Sequence, residues 1–324
     1  MTYAIRSSAA ISLALALALL SNAQAASWPQ HPLRLVVPFP AGGPVDITTR
    51  AISPRLSQAL GQSVVIDNRG GASSIIGSDL VAKSNPDGYT LLVCSTTNTI
   101  NASVMPKLPF DIQKDFIPIN MIALITSILV VHPSVQAHNV RELISLAQSK
   151  PGQFTYGSAG NASPSHLAGE LFKVLSGINI IHIPYKGGAP AAIDQLSGQI
   201  QLSFLSAPAT VPHIKTGALR ALGVTNARRS ILLPEIPTIA ESGLPGYESE
   251  SWNGLLAPAH TPPSVIERLN HEINLVLEIP EIRRLLINAG TEPVGTGPKA
   301  FSEKIAKEID RWRKVAKLAH LKID

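Results

Sequence analysis

The chain has 324 residues, with 27 Lys and Arg against 22 Asp and Glu, a formal net charge of +5 that is mild for this length. So small an excess is no nucleic-acid footprint, which requires basic residues clustered on one face. A lone cysteine, Cys94, excludes an intrachain disulfide, and an aromatic share of 5% means that the core must be mostly aliphatic.

The first segment reads as an export signal. Arg6 precedes an apolar run over 9–20 broken only by Ser12, and Ser21-Asn22-Ala23-Gln24-Ala25 supplies small residues for cleavage after Ala25 or Ala26. An apolar core of about 12 residues is well short of the roughly 20 needed to cross a membrane as a helix. A strand follows at 33–37, then the breaker-rich turn Pro38-Phe39-Pro40-Ala41-Gly42-Gly43-Pro44, then a helix from Asp46 to its stop at Gly61. The spacing next predicts a strand over 64–66, a helix over 76–83 and a strand over 90–94. The middle of the chain repeats this rhythm: strand 128–131, helix 140–149, strand 155–157 ending in a polar loop over 158–165, helix 166–175, extended chain over 180–183, helix 189–197, strand 201–205 leading into Ser206-Ala207-Pro208, and strand 218–224. Past Gly243 come a segment centred on Trp252, a Pro-rich connector over 258–263 and helices over 264–277, 281–289 and 298–318.

Alternating short apolar strands and helices predict α/β architecture with parallel sheets covered on both faces. Single cores stop growing near 250 to 300 residues, so two lobes are expected. The chain leaves the first near residue 125 and returns near 250. This makes 1–25 a signal peptide, 26–125 plus 250–324 lobe 1, and 126–249 lobe 2. In the last helix Ile305, Ile309, Trp312 and Ala316 share one face, which favours docking on lobe 1 over a membrane surface.

In open α/β sheets, ligands sit beyond the carboxyl ends of strands. The loops at 39–46, 95–98, 158–165 and 206–210, the last headed by Ser206, all follow strands and are rich in Gly, Ala, Ser, Thr and Asn. Their backbone N–H groups and hydroxyls suit a carboxylate, and helix starts favour an anion. Each loop alone has an ordinary explanation, a turn needing positive φ at Gly42-Gly43 or an N-cap near Ser158, but that explanation must be invoked four times. Ser165-His166 leaves an exported hydrolase as an alternative, although adjacent residues point apart and no G-x-S-x-G elbow is present. His166 otherwise caps or packs a helix start, and Lys186 is an exposed strand-end residue or an anion attractor. Neither a zinc motif nor a nucleotide fingerprint occurs, so neither metal nor cofactor is expected.

Pro38-Phe39-Pro40-Ala41-Gly42-Gly43 with Asp46 and Arg50, then Asn85-Pro86-Asp87-Gly88-Tyr89, Ser158-Ala159-Gly160-Asn161 with Ser165-His166-Leu167-Ala168-Gly169-Glu170, Pro184-Tyr185-Lys186-Gly187 and Leu233-Pro234-Glu235-Ile236-Pro237-Thr238 together resemble the extracytoplasmic receptors of tripartite tricarboxylate transporters, the Bug or TctC-type family. The likeness runs through essentially the whole chain after the signal. It implies a two-lobed periplasmic binding protein-like fold, type II-like, with a mostly parallel sheet in each lobe and a ligand cleft between them. By resemblance, Phe39, Ala41, Gly42 and Gly43 would form the lobe 1 wall with Asp46 beside it. Thr96 and Thr97 would add hydroxyls, and Ser158, Gly160, Asn161 and Ser165 donors from lobe 2. The implied protein is a periplasmic, monomeric, non-enzymatic solute-binding protein. Its partners would be a small organic acid and the transporter's membrane permease subunits; the alternative is a sensor whose loaded form docks on a signalling receptor. Two departures stand out. Gly70-Gly71-Ala72-Ser73-Ser74 replaces a more Gly-rich loop and would narrow or polarise one edge of the pocket. Leu205-Ser206 follows the strand ending at Phe204 where many members carry an acid, which points to a plain di- or monocarboxylate.

Overall fold

The computed structural model describes residues 28–321. The expected export signal over 1–25 lies outside the described residues. Among the described residues, eleven strands form two sheets. The first is built from β1 (Leu33–Val37), β2 (Val64–Asn68), β3 (Thr90–Ser95), β4 (Phe116–Ile125), β10 (Ser251–Pro258) and β11 (Thr291–Pro293), in the order β11-β4-β10-β3-β1-β2. The second holds β5 (Ser127–Val131), β6 (Thr155–Ser158), β7 (Ile181–Pro184), β8 (Leu202–Ser206) and β9 (Arg220–Val224), in the order β7-β6-β8-β5-β9.

The helices are α1 (Pro44–Leu60), α2 (Ile75–Ala82), α3 (Thr96–Val104), α4 (Val140–Ser149), α5 (Pro164–Ser176), α6 (Gly188–Leu196), α7 (Ala207–Lys215), α8 (Pro263–Glu278), α9 (Pro280–Asn288) and α10 (Pro298–Leu318). Period-two alternation sorts the first sheet's side chains to two faces. Leu33, Leu35, Leu91, Val93 and Leu255 pack under α1, α8 and α9. Val36, Leu92, Cys94, Trp252 and Leu256 pack on the other face with Phe301, Ile305 and Ile309 of α10. The second sheet buries Leu129, Tyr156, Leu202 and Phe204 beneath α4 and α5 on one face, while Ile128, Val130 and Val224 lie on the other.

The α/β class with two helix-flanked sheets is as the sequence predicts, but the sheets are mixed rather than mostly parallel. Only β1 with β2 and β3, and β6 with β7 and β8, are parallel pairs. β10 runs antiparallel to β3 and β4, β11 to β4, and β5 to β8 and β9. Parallel neighbours need a crossover, usually a helix. β4 instead passes into β5 through Thr126 alone, and β10 re-enters the first sheet from a loop, so neither is turned around by a helix.

The last helix also departs from expectation. Its first half docks on the first sheet as predicted, but Trp312 and Val315 join the core of the second sheet with Leu167, Leu171 and Tyr247. At 1.5 Å per residue, α10 is about 30 Å long, enough to reach both cores.

Candidate functional site

The turn after β1 is held by a carboxylate. Asp46, in the first turn of α1, accepts hydrogen bonds from Gly42 N–H at 2.8 Å, Arg50 Nε at 2.8 Å and Asn68 Nδ2 at 2.9 Å. Burial pushes its carboxyl up, but these donors outweigh that effect and hold it below the usual carboxylate range. Gly42 lies at φ 81°, in the left-handed region where a Cβ would be strained. Asp46 therefore shapes the turn, leaving Phe39, Pro40 and Gly43 to face the cavity described below.

At the start of α3, Ser95 caps the helix through Thr97 N–H, and Asn98 returns a bond to Ser95 N–H at 2.9 Å. Asn98 and Asn101 also reach the loop before α2. Asn98 Nδ2 donates to Ser78 Oγ at 2.9 Å and Ser74 Oγ at 3.3 Å, and Asn101 Nδ2 donates to the Ser73 carbonyl at 2.6 Å. That loop is strained: Ala72, Ser73 and Ser74 all have left-handed backbones, at φ 45°, 50° and 78°. Each such non-glycine residue costs about 1–2 kcal/mol, which the α3 asparagines help to offset.

On the second sheet's side, Ser163 caps α5 through His166 N–H. Ser165 Oγ accepts from Ala159 N–H at 2.9 Å and lies 3.0 Å from Ser163 Oγ, while His166 Nδ1 accepts from Ala162 N–H at 3.2 Å. Both residues thus tie down the 159–165 loop. His166 stacks on His182 with ring centroids 3.9 Å apart, and His182 Nε2 meets Ser158 Oγ at 2.6 Å. Burial lowers the basicity of both imidazoles, and His182 is pushed down to about 3 with further help from His166 and Lys173. The pair is neutral at ordinary pH.

These loops surround a cavity of about 580 Å³. The N-cap residues of five helices line it: Gly43 of α1, Ser95 of α3, Ser163 of α5, Gly187 of α6 and Ser206 of α7. Among the described residues, no Asp, Glu, Lys, Arg or His lines it. Phe39, Val45, Ile125, Phe204, Leu205 and Trp252 give it an apolar body, and Ser73, Thr96, Thr97, Ser127, Asn161, Ser165, Ser206 and Ser251 add polar side chains.

Of the residues singled out from sequence, Phe39, Gly43, Thr96, Thr97, Asn161, Ser165 and Ser206 line the cavity together. Ala41, Gly42, Asp46, Ser158 and Gly160 are not among its lining residues; Ala41 and Gly42 are exposed, Ser158 is fully buried, and the Gly160 carbonyl accepts the Ser158 hydroxyl. Sequence reasoning missed Ile125, Ser127, Ser251 and Trp252, which belong to the strands linking the sheets and follow no turn signal. It also missed Gly187 and Gly188, although Gly187-Gly188 after a short strand is the same cue that marked Gly42-Gly43. The Leu205-Ser206 pair lies within β8, which extends to Ser206 rather than ending at Phe204.

Residues 48–321 match the model of the family described as tripartite tricarboxylate transporter family receptor. The chain belongs to this receptor family. It is 39% identical over 290 residues, 89% of this chain and 86% of the other, to a protein of Pseudomonas sp. strain P51 encoded between tcbD and tcbE. An R. palustris protein solved with adipate superposes with a TM-score of 0.79 at 39% identity, covering 91% of this chain and 99% of that one. MatC from Rhodopseudomonas palustris, solved with malate, gives a TM-score of 0.76 at 28% identity, covering 89% and 99%. The receptor is a solute-binding protein and not an enzyme. This sets aside the hydrolase alternative, and the bonds of Ser165 and His166 agree, since each is engaged with backbone N–H groups of its own loop.

Proposed function

We propose that this receptor captures a small organic carboxylate in the 580 Å³ cavity outside the cytoplasm and delivers it to the membrane subunits of a tripartite tricarboxylate transporter. The lobes in this reading are 26–125 with 250–324, carrying the first sheet, and 126–249, carrying the second. The observation that carries it is the convergence of five helix starts on a cavity without charged side chains. An uncharged lining gives a cation no counter-ion. Helix N-termini offer an anion about 0.3–1 kcal/mol each, rising to about 2 in a partly buried setting. Adipate and malate in the structural neighbours support the same ligand class, and the apolar walls suit the carbon chain between carboxyl groups.

Calorimetric titration with adipate, succinate, malate and benzoate, and with adipamide as the uncharged control, tests this reading. Binding of at least one carboxylate and none of adipamide is expected. A protein that binds none of the acids, or binds the diamide as tightly as adipate, overturns it.

A further inference from the structure

The loop entering α2 carries side chains where backbone geometry favours glycine. Ser73 sits at φ 50°, ψ 49°, between Ala72 and Ser74, which are also left-handed. Glycine would occupy that region without the Cβ clash. Nothing in the packing calls for the Ser73 side chain: the residue is exposed, and its hydroxyl makes no hydrogen bond among the described residues. Its neighbour behaves differently. Ser74 is 1% exposed and receives Asn98, so its side chain has a structural reason to be present. The Ser73 carbonyl is also fixed, by Asn101 Nδ2 at 2.6 Å, so the residue is held in its strained conformation at the cavity wall.

Resting on the carboxylate reading above, we infer that Ser73 is a specificity-determining residue, whose free hydroxyl donates to a ligand oxygen from the first-sheet side of the cavity. The anchored backbone spares the hydroxyl the ordering cost that a mobile loop would incur on binding. Of the other free hydroxyls of the lining, Thr97 and Ser206 belong to helix starts that attract any anion, while Ser127 and Ser251 lie on strands β5 and β10. Ser73 lies in the short 3-10 turn just before Ser74, the N-cap of α2, a helix start that does not itself line the cavity, so its hydroxyl acts on a particular ligand oxygen rather than on charge in general.

Two variants separate this role from a structural one. Ser73→Ala keeps the Cβ and removes the hydroxyl. Ser73→Gly removes both and relieves the backbone. Calorimetry with the tightest acid of the adipate, succinate, malate and benzoate series should show about a tenfold loss of affinity in each variant. Ligand-free melting temperatures should be unchanged for Ser73→Ala and unchanged or higher for Ser73→Gly. Affinity equal to wild type in both variants overturns the inference while leaving the carboxylate reading intact. A fall of more than a few degrees in the melting temperature of Ser73→Gly also overturns it, by showing that the side chain is structural. A wild-type protein that binds none of the four acids removes both readings together.

Discussion

Both carboxylate oxygens of Glu308 accept the indole N–H of Trp252 at 2.8 Å, which ties the last helix to a wall of the cavity. The carboxylate is buried and also meets Thr99 Oγ1 at 3.1 Å and Lys304 Nζ at 3.4 Å. Burial pushes its carboxyl up, against the pull of Lys304 and of the Trp252 hydrogen bond. Removing one partner of a buried ionic network leaves the others unpaired. Glu308→Ala should therefore cost about 3–5 kcal/mol in urea denaturation. Ligand affinity should fall as well, because Trp252 and Thr96, whose hydroxyl accepts Trp252 N–H at 3.0 Å, both line the cavity. Full stability in Glu308→Ala would show that the network is dispensable.

The stacked imidazoles make stability depend on pH in the mildly acidic range. His182 is pushed down to about 3 in the folded protein by burial, and then by His166 and Lys173, against an ordinary value of 6.5. The unfolded chain therefore binds the proton more readily. The contribution of neutral His182 is complete above about pH 6.5 and is lost as pH falls from there toward about 3. His166, lowered chiefly by burial, acts in the same direction. Urea midpoints at pH 7 and pH 4.5 should differ clearly in wild type and less in His182→Gln. An identical pH response in the variant would assign the acid sensitivity to other groups.

Asp46 acts lower on the pH scale. Its carboxyl is held below the usual range despite burial, so its stabilisation is present above the ordinary Asp value of about 4 and is lost as pH falls toward the depressed one. Asp46→Asn keeps the shape and removes the charge that Arg50, Gly42 and Asn68 address. A loss of about 1–3 kcal/mol is expected at pH 7, shrinking below pH 4. Chemical denaturation at pH 7 and pH 3 measures the difference.

A third carboxylate joins the two places where the chain passes between the sheets. Glu292 on β11 accepts from Thr126 Oγ1 at 2.9 Å and from Ser230 Oγ. Thr126 links β4 to β5, and Ser230 lies between β9 and β10. Thr126→Val and Glu292→Gln should each destabilise the protein. Because they share one bond, the double variant should lose less than the sum, with a coupling of about 0.5–3 kcal/mol in a double-mutant cycle. Simple additivity would mean that the contact carries no energy.

Much of the site was legible because its cues are local. Turn and small-residue cues over a few neighbours marked the loops 39–46, 95–98 and 158–165, and the family resemblance picked out Phe39, Thr96, Asn161 and Ser165 within them, all of which line the cavity. Ala41, Gly42, Asp46, Ser158 and Gly160 belong to the same loops but do not line the cavity. Which side of a loop faces a ligand is set by packing against other elements, here Asn68 for Asp46 and His182 for Ser158. Ile125, Ser127, Ser251 and Trp252 carry no local cue. They reach the cavity because their strands lead from one sheet to the other.

The sequence by itself determined the strand and helix alternation, the bounds of helices such as α10, the donor-rich loops and the resemblance to the receptor family. These follow from hydrophobic period and backbone chemistry, which act over a few residues. Tertiary structure alone decided the mixed strand directions, the span of α10 across two cores, and the meeting of five helix starts around one uncharged cavity. Each of these depends on how elements distant in the chain bury their apolar faces together, and burial is non-directional and long-range in sequence.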